Sequence, residues 1–254
     1  MSLTTIGGIG GTGYLVIKYR ERASAERAER DAEQDRAEQR LLSGVQQLGS
    51  ESPQVRIAGV YSLASVADTY RGEYRQRVVS ILCGYLRTQR GEWRTIVNEQ
   101  DGLEQSSEEK VYVSHDGAVE STVLEVLIRH LRKRREKTKH REAVTQLVED
   151  DQLWCDCTID LHDAVLTEIA DFERATFNDA DFQDATFKRD ANFWDATFSR
   201  SAPPMGLPPE QVDEDGLPHG ARWADADDEG LEAGSPDDAP AEDTGPGSTG
   251  SAAS

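Results

Sequence analysis

Residues 161–198 read LHDAVLTEIADFERATFNDADFQDATFKRDANFWDATF. A large apolar residue recurs in this stretch at intervals of 5, 6, 5, 5, 5, 6 and 5 residues, at Leu161, Leu166, Phe172, Phe177, Phe182, Phe187, Phe193 and Phe198. A period of five fits neither the 3.6 residues of a helical turn nor the two residues of a strand. It therefore predicts short units that stack on one another along the chain.

An alanine stands two positions before each large residue from Leu166 onward. These alanines are Ala164, Ala170, Ala175, Ala180, Ala185, Ala191 and Ala196. A small side chain leaves room for a large one in a close-packed interior, so both are predicted to point into the stack. The carboxylates of Asp163, Asp179, Asp184 and Asp195 then stand at outward positions. We interpret them as solvated faces rather than as an acid–base pair.

The resulting motif, A-[DNTS]-[LF]-x-x, resembles the pentapeptide-repeat family. The resemblance implies a right-handed quadrilateral β-helix with four pentads per coil and with the Leu, Phe and Ala side chains inside. The additional residues near Ile169 and Asp190 interrupt the register, so two corners are expected to be irregular. Residues 45–63, residues 81–86 and the apolar N-terminus also resemble actinobacterial membrane-anchored pentapeptide-repeat proteins, and this similarity covers about residues 1–200.

The first seventeen residues carry no charged side chain, and Lys18, Arg20 and Arg22 follow at once. A membrane-spanning helix needs about 20 apolar residues, with a lower limit near 17, and flanking basic residues mark the cytoplasmic side. Residues 1–18 therefore predict a single-pass membrane anchor with the C-terminal bulk of the chain in the cytoplasm. The same stretch contains a G-x-G-x-x-G pattern, but no second strand follows it, as a dinucleotide site would require.

The chain is predicted to be an α+β protein of five consecutive segments. They are residues 1–18 (membrane anchor), 19–48 (charged helical stalk), 49–150 (helical, HEAT-like domain), 151–200 (β-helix) and 201–254 (disordered acidic tail). The stalk is rich in strong helix formers and is either solvated or a weak coiled coil. In the helical domain, Ser52 and Pro53 are expected to open the first helix as cap and first-turn residue. A polar insertion is expected at residues 88–116.

Charge is unevenly distributed along the chain, whose formal net charge is −20. Residues 201–254 hold 13 acids and one base, a net charge of −12, and most of the prolines. Such a composition predicts disorder, as an inert solvating tail or as an arm that binds a partner. Between Arg129 and Arg141, eight bases stand against Glu136 alone. This basic cluster is either a solvated helix end or a patch for an anionic membrane or for the tail.

Few residues of the sequence suggest chemistry. The five histidines, His115, His130, His140, His162 and His219, are not spaced as metal ligands. Cys155-Asp-Cys157 lacks the two further ligands that zinc would require, so we interpret it as a turn that caps the repeat. The sequence contains no P-loop lysine motif, nucleophile elbow or HExxH. We therefore expect no enzyme activity, no cofactor and no bound metal.

Two functions remain consistent with these features. The first is a membrane-tethered scaffold that binds an unidentified protein on the cytoplasmic face. The second is an acidic β-helix that mimics DNA and inhibits a DNA-binding enzyme such as a topoisomerase. Direct nucleic-acid binding is not expected, because a polyanionic chain is repelled by duplex DNA.

Overall fold

The computed structural model describes the backbone of residues 7–98, 107–133, 148–189, 191–199 and 212–224, with their side chains except at 7–17, 97–98 and 107–109. Helices fill the first part of the chain and short strands the second, as expected of the α+β class. The helices are α1 (Gly7–Leu48), α2 (Pro53–Tyr70), α3 (Gly72–Arg87) and α4 (Gly117–Leu131), and a 3₁₀ turn covers Asp150–Gln152.

Two longer strands and nine short ones complete the fold within the described residues. The longer strands are β1 (Gly91–Asn98) and β2 (Ser107–Ser114). The short strands are β3 (Thr158–Asp160), β4 (Val165–Leu166), β5 (Ala170–Asp171), β6 (Thr176–Phe177), β7 (Asp179–Asp181), β8 (Thr186–Phe187), β9 (Ala191–Asn192), β10 (Thr197–Phe198) and β11 (Arg222–Trp223).

Helix α1 is one continuous element of 42 residues, about 63 Å long at 1.5 Å per residue. The backbone therefore shows no break between the predicted anchor at 1–18 and the predicted stalk at 19–48. Helix α1 ends at Leu48, the residue at which the predicted stalk ends. The last part of this helix is not a solvated stalk, however, because Ala37, Leu41 and Leu48 are buried. Helix α1 packs on α2, where Gly44 lies close to Leu63 and Gly59 lies close to Leu48, so the last turns of α1 belong to the helical domain.

The predicted anchor lies largely outside the residues whose side chains are described. Within the described part of the chain, no helix combines the length and the apolar character that a membrane span requires.

Helices α2, α3 and α4 form a layer whose apolar faces meet in one core. Helix α2 begins at Pro53, and Ser52 holds the N-cap position, as predicted. The Ser52 hydroxyl, however, donates to Gln54 Oε1 at 2.9 Å and makes no capping hydrogen bond to the backbone. The buried core side chains of the layer include Val60, Leu63, Val78, Leu82, Leu86, Val123, Leu124, Leu127 and Leu131.

The predicted polar insertion at 88–116 contains an antiparallel hairpin of β1 and β2. A Cβ on Gly91 would lie 2.3 Å from the Val113 carbonyl oxygen, so the first strand can approach its partner only with glycine at this position. Trp93 and Tyr112 face each other across the hairpin with ring centroids 5.3 Å apart. The β-branched and aromatic residues of the two strands, W-R-T-I-V in β1 and V-Y-V in β2, are the sequence signal for strands, and the charged residues around them obscure it.

The repeat stacks in parallel on itself with a constant offset of 21 residues. Strands β3, β4, β5 and β6 pair with β7, β8, β9 and β10, and each pair joins residues that are 21 apart. One turn of the chain therefore takes four pentads and one additional residue. We name residues 158–178 the first coil and residues 179–199 the second coil. The additional residues do not disturb the stack, because each coil contains one of them between its second and third pentads.

The tail predicted to be disordered from residue 201 is in part folded. Strand β11 pairs in parallel with β10, with Arg222 opposite Thr197 and Trp223 opposite Phe198. Leu217 is buried, and Val212 forms an isolated bridge with Pro218. Composition does not reveal the folded residues 212–224, because this short segment lies within a long acidic and proline-rich stretch.

The helical layer covers one rim of the first coil, which we name the lower rim. The Gln76 amide pairs with the backbone of Thr158 on β3, accepting at 2.9 Å and donating at 3.2 Å. Arg132 donates to the carbonyls of Asp171 and Glu173 at 2.8 and 2.9 Å. Such contacts satisfy backbone groups that an exposed edge strand would leave open.

A buried ion pair covers the lower rim at β4. It joins Arg90, on the segment after α3, to Glu120 on α4. Arg90 also donates to the Val165 carbonyl at 2.8 Å, and Glu120 accepts from the backbone N–H groups of Thr167 and Glu168. The Glu120 side chain is fully buried. The pair thus joins two elements of the helical layer to the β4 side of the first coil.

Removing one member of this pair should destabilise the whole fold. Glu120→Gln leaves Arg90 buried without its counter-charge, which typically costs about 3–5 kcal/mol. Glu125→Gln is the matched control on the same helix, because Glu125 forms an exposed pair with Arg129 and such pairs contribute about 0–1 kcal/mol. Urea unfolding of both variants measures the difference. Equal midpoints would show that the Arg90–Glu120 pair does not hold the layers together.

Candidate interaction surface

The interior of the two coils is filled by the side chains that the sequence places inward. Thirteen of the fifteen predicted positions are buried, and Phe187 and Ala191 are half-buried. The buried ones are Leu161, Leu166, Phe172, Phe177, Phe182, Phe193, Phe198, Ala164, Ala170, Ala175, Ala180, Ala185 and Ala196. Ile159 is also fully buried, in the position that alanine holds in the later pentads. The repeat therefore begins one pentad before the first of the alanines, Ala164.

Aromatic rings stack from one coil to the next. Phe177 and Phe198 lie 4.8 Å apart with their rings 9° from parallel, and Phe172 and Phe193 lie 5.1 Å apart at 21°. Both pairs join residues 21 apart, so the rings follow the backbone register. Burial of each phenylalanine contributes about 1.5–3 kcal/mol. Since the interior is packed with side chains, any binding must use the outside of the coils.

Alternate corners of the stack are tight turns with a left-handed residue. Asp163, Arg174, Asp184 and Asp195 have φ between 56° and 62°. In each turn the following alanine N–H donates to the carbonyl of the inward residue three positions earlier, at 3.0–3.1 Å. Asp163, Asp179 and Asp184 are exposed, at the outward positions where the sequence puts them, and Asp195 is half-buried.

The outside of the coils is most acidic along the β3–β7 pair. Asp160 and Asp181 stand directly opposite each other in the register, and the left-handed corner residues Asp163 and Asp184 follow them. We name these four residues and Asp179 the acidic face. Like charges opposite each other in a sheet repel, so this face favours a basic partner.

Arg87 of α3 partly compensates the acidic face. Its Nη1 lies 2.9 Å from Asp160 Oδ2 and 2.9 Å from a ring nitrogen of His162. The potential ligand atoms of Asp160, His162 and Asp181 all lie within 4.8 Å of one another, a geometry that a cation could use. Linear spacing did not reveal this cluster, because Asp181 joins it only through the 21-residue coil. The Arg87 guanidinium already places a positive charge there.

Trp154 and the two cysteines after it close the lower rim under the fourth strand of the first coil. The Cys155 carbonyl accepts from Asn178 N–H at 3.2 Å. Trp154 stacks on His130 at 3.9 Å, and both rings approach Asp68, at 3.2 and 3.3 Å. The structure thus places Cys155 and Cys157, both buried, in a turn that caps the lower rim, while Asp156 between them is exposed.

The remaining predicted features divide between described and undescribed residues. His115 is exposed, 3.9 Å from Glu92. Arg129 and Arg132 of the basic cluster pair with Glu125 and Asp171. His140 and residues 134–141 of the cluster lie outside the described residues, as does most of the acidic tail.

Comparison with known proteins agrees with the presence of a pentapeptide repeat in this part of the chain. Residues 158–202 match the family model described as Pentapeptide repeats (9 copies). The chain carries pentapeptide repeats. The match begins at β3 and ends beside Pro203 and Pro204, where prolines interrupt the motif. No curated protein and no solved structure matches the chain.

The inward positions of the pentapeptide repeats predict a sharp contrast between two neighbouring substitutions. Phe182→Asp places a carboxylate among Phe172, Phe177 and Phe193, which should cost several kcal/mol. Asp184→Asn should change stability by no more than about 0.5 kcal/mol, because the side chain is exposed and Asn tolerates a left-handed backbone. Thermal melts compare the two. Similar melting temperatures would mean that the inward register is assigned wrongly.

The cysteines should be inert in the folded protein. Burial raises the pKa of Cys83 to about 12 and that of Cys157 to about 12. At pH 8 only about one Cys157 thiol in ten thousand would be the reactive thiolate. We expect no reaction with an aromatic disulfide reagent at pH 8 until guanidinium is added, when three thiols per chain react. Rapid reaction of the native protein would contradict the burial of these residues.

Proposed function

We propose that the chain is a non-enzymatic scaffold, anchored in the membrane by its N-terminal segment, whose pentapeptide repeats form a protein-interaction module on the cytoplasmic face. In this proposal the two coils form a short right-handed quadrilateral β-helix. The resemblance to actinobacterial membrane-anchored pentapeptide-repeat proteins supports the anchor, together with the uncharged run that ends at Lys18.

The observation that carries the interaction role is the contrast between the inside and the outside of the coils. Phenylalanine and alanine fill the inside, while the outside presents a different set of polar side chains along each strand pair. The pair β3–β7 presents aspartates, whereas the pair β5–β9 presents Asp171 opposite the amide of Asn192. A rigid support with distinct outer faces suits the binding of a protein partner.

DNA mimicry is the second candidate, and the acidic face is the observation that favours it. Two coils at the strand spacing of about 4.8 Å are only about 10 Å tall, the length of about three base pairs. A surface of that height replaces too little DNA to compete for an extended duplex site. The scaffold role therefore has the stronger support.

The anchor can be tested by fractionation of cells that express the full chain or a variant without residues 1–17. We expect the full chain in the membrane fraction and the shortened variant in the soluble fraction, because the shortened chain begins with the charged part of α1. A full chain that fractionates as soluble protein would contradict the anchor.

The interaction role can be separated from mimicry with a double variant, Asp181→Asn with Asp184→Asn. A partner recovered from detergent-solubilised membranes by the full chain, and identified by mass spectrometry, supports the scaffold. If the full chain instead inhibits a purified topoisomerase and the double variant does not, mimicry is the correct function.

A further inference from the structure

The hairpin of β1 and β2 carries an aromatic pair on one of its faces. Trp93 and Tyr112 stand opposite each other in the antiparallel register, with ring centroids 5.3 Å apart and ring planes at 67°. The Tyr112 ring also lies against Gly91, where a Cβ would come within 2.9 Å of it. Glycine at the root of β1 therefore lets the tyrosine ring settle beside the backbone, and the tyrosine in turn holds the indole in place.

The ammonium group of Lys188 lies over this pair. Its Nζ is 4.3 Å from the centroid of the Trp93 ring, inside the distance of about 6 Å at which a cation and an aromatic face attract each other. Within the described part of the chain, Trp93 keeps 53% of its surface exposed. The lysine therefore covers the indole only in part, and the chain itself shows that the ring accepts a cation.

The fold fixes both partners of this contact. The hairpin begins directly after Arg90, whose guanidinium is buried against Glu120 and donates to the Val165 carbonyl of β4. Lys188 follows β8, and its backbone N–H donates to the Leu166 carbonyl of β4 at 2.8 Å. The root of the hairpin and the backbone of Lys188 are thus held by the same strand. The lysine side chain is exposed, so it can leave the ring without any change in the backbone.

A primary ammonium is a weak occupant of an exposed ring. It is compact and strongly hydrated, and it gives up part of that hydration when it lies on the indole. A quaternary ammonium has no N–H groups to hydrate, and its methyl groups bury apolar surface against the aromatic rings. Lys188 holds its place because the chain keeps it nearby at a high effective concentration. A quaternary ligand in solution is therefore the cation that this pair favours over its own lysine.

The position of the hairpin favours a soluble ligand over a lipid headgroup. Gly91, at the root of β1, lines the same cavity as Leu48, at the end of α1. The helix from Lys18, where the proposed anchor ends, to Leu48 is about 45 Å long. The hairpin thus starts at the end of α1 that is remote from the proposed anchor. The formal net charge of −20 attracts cations from solution at long range.

We infer that Trp93 and Tyr112 form a binding site for a soluble quaternary ammonium compound of the choline type, and that Lys188 is its internal competitor. The trimethylammonium group of the ligand takes the place of the lysine ammonium over the indole, and Lys188 turns into solvent. The site lies on the hairpin, apart from the outer strand pairs proposed above for a protein partner. The inference therefore goes beyond the proposed function and does not depend on the scaffold role.

The probe is choline, titrated into the full chain in a maltoside detergent, with the four tryptophans labelled as 5-fluorotryptophan and followed by fluorine NMR. The Trp93 signal is assigned by its loss in Trp93→Phe. We expect choline to shift it saturably, and the neutral isostere 3,3-dimethylbutanol to act at least about threefold more weakly because it has no charge. Trp194, which is also exposed, is the internal control and should not shift. No saturable shift, equal responses to the two probes, or equal shifts of both tryptophans overturn the inference.

Variants of two lysines separate the internal competitor from a general effect of charge. Lys188→Gln removes the competitor, so choline should bind about twofold to fivefold more tightly. Lys110→Gln is the matched control, because Lys110 is an exposed lysine on the same face of the hairpin as Tyr112, and it should leave the affinity nearly unchanged. Both side chains are exposed, so both variants should retain the fold, which circular dichroism checks. An equal gain in both variants, or no gain in Lys188→Gln, overturns the inference.

The lipid headgroup is tested separately with the same labelled chain in nanodiscs of phosphatidylcholine or of phosphatidylglycerol. We expect the Trp93 signal to have the same position in both lipids and to shift in both when choline is added. A Trp93 signal that is already shifted in phosphatidylcholine alone, and that no longer responds to choline, would make the headgroup the ligand and overturn the assignment of a soluble one.

Discussion

The lower rim of the first coil is the constraint on which the rest of the structure depends. A stack of short parallel strands has two open ends, and unpaired backbone groups at an end are costly when they are buried. The helical layer supplies hydrogen-bond partners to the backbone groups of the strands at the lower end, and the Arg90–Glu120 pair is one of these partners. The pair is buried, so its charges are tolerated only because Val165, Thr167 and Glu168 complete their hydrogen bonds.

This coupling explains why the two halves of the chain share one core. The buried residues run without interruption from Leu41 of α1 through α2, α3 and α4 to Phe198 of the repeat. Two coils alone have a small interior, and three helices alone have a modest one. Together they bury enough apolar surface for a single stable unit, and the described chain up to Trp223 is compact as one body. The outside of the coils is then held rigidly in place, which is what an interaction surface needs.

Much of this arrangement could be predicted from the sequence, but the rest could not. The inward phenylalanines and alanines are visible because each recurs locally, every five or six residues. The closure of a coil after 21 residues was present in the same numbers, since the two six-residue intervals are themselves 21 apart. A single repetition of that interval does not distinguish a regular coil length from an irregular corner.

Features that depend on distant partners left no local signal. Glu120 sits on an otherwise apolar face of α4 and looks like a solvated residue until Arg90 and the turn at Thr167 are placed beside it. Ala221 and the two residues of β11 have the small–x–large order of a pentad, but an acidic and proline-rich segment surrounds them. The cluster of Asp160, His162 and Asp181 forms only when the second coil lies on the first.

The claim that the helical layer and the repeat are one cooperative unit is tested most directly by native-state hydrogen exchange. The amides of Thr167 and Glu168, which donate to Glu120, and the central amides of α4 report on the two sides of the boundary. The account predicts that both groups exchange with the same opening free energy and the same dependence on urea. Exchange of the α4 amides at markedly lower free energy, while the repeat stays protected, would contradict it.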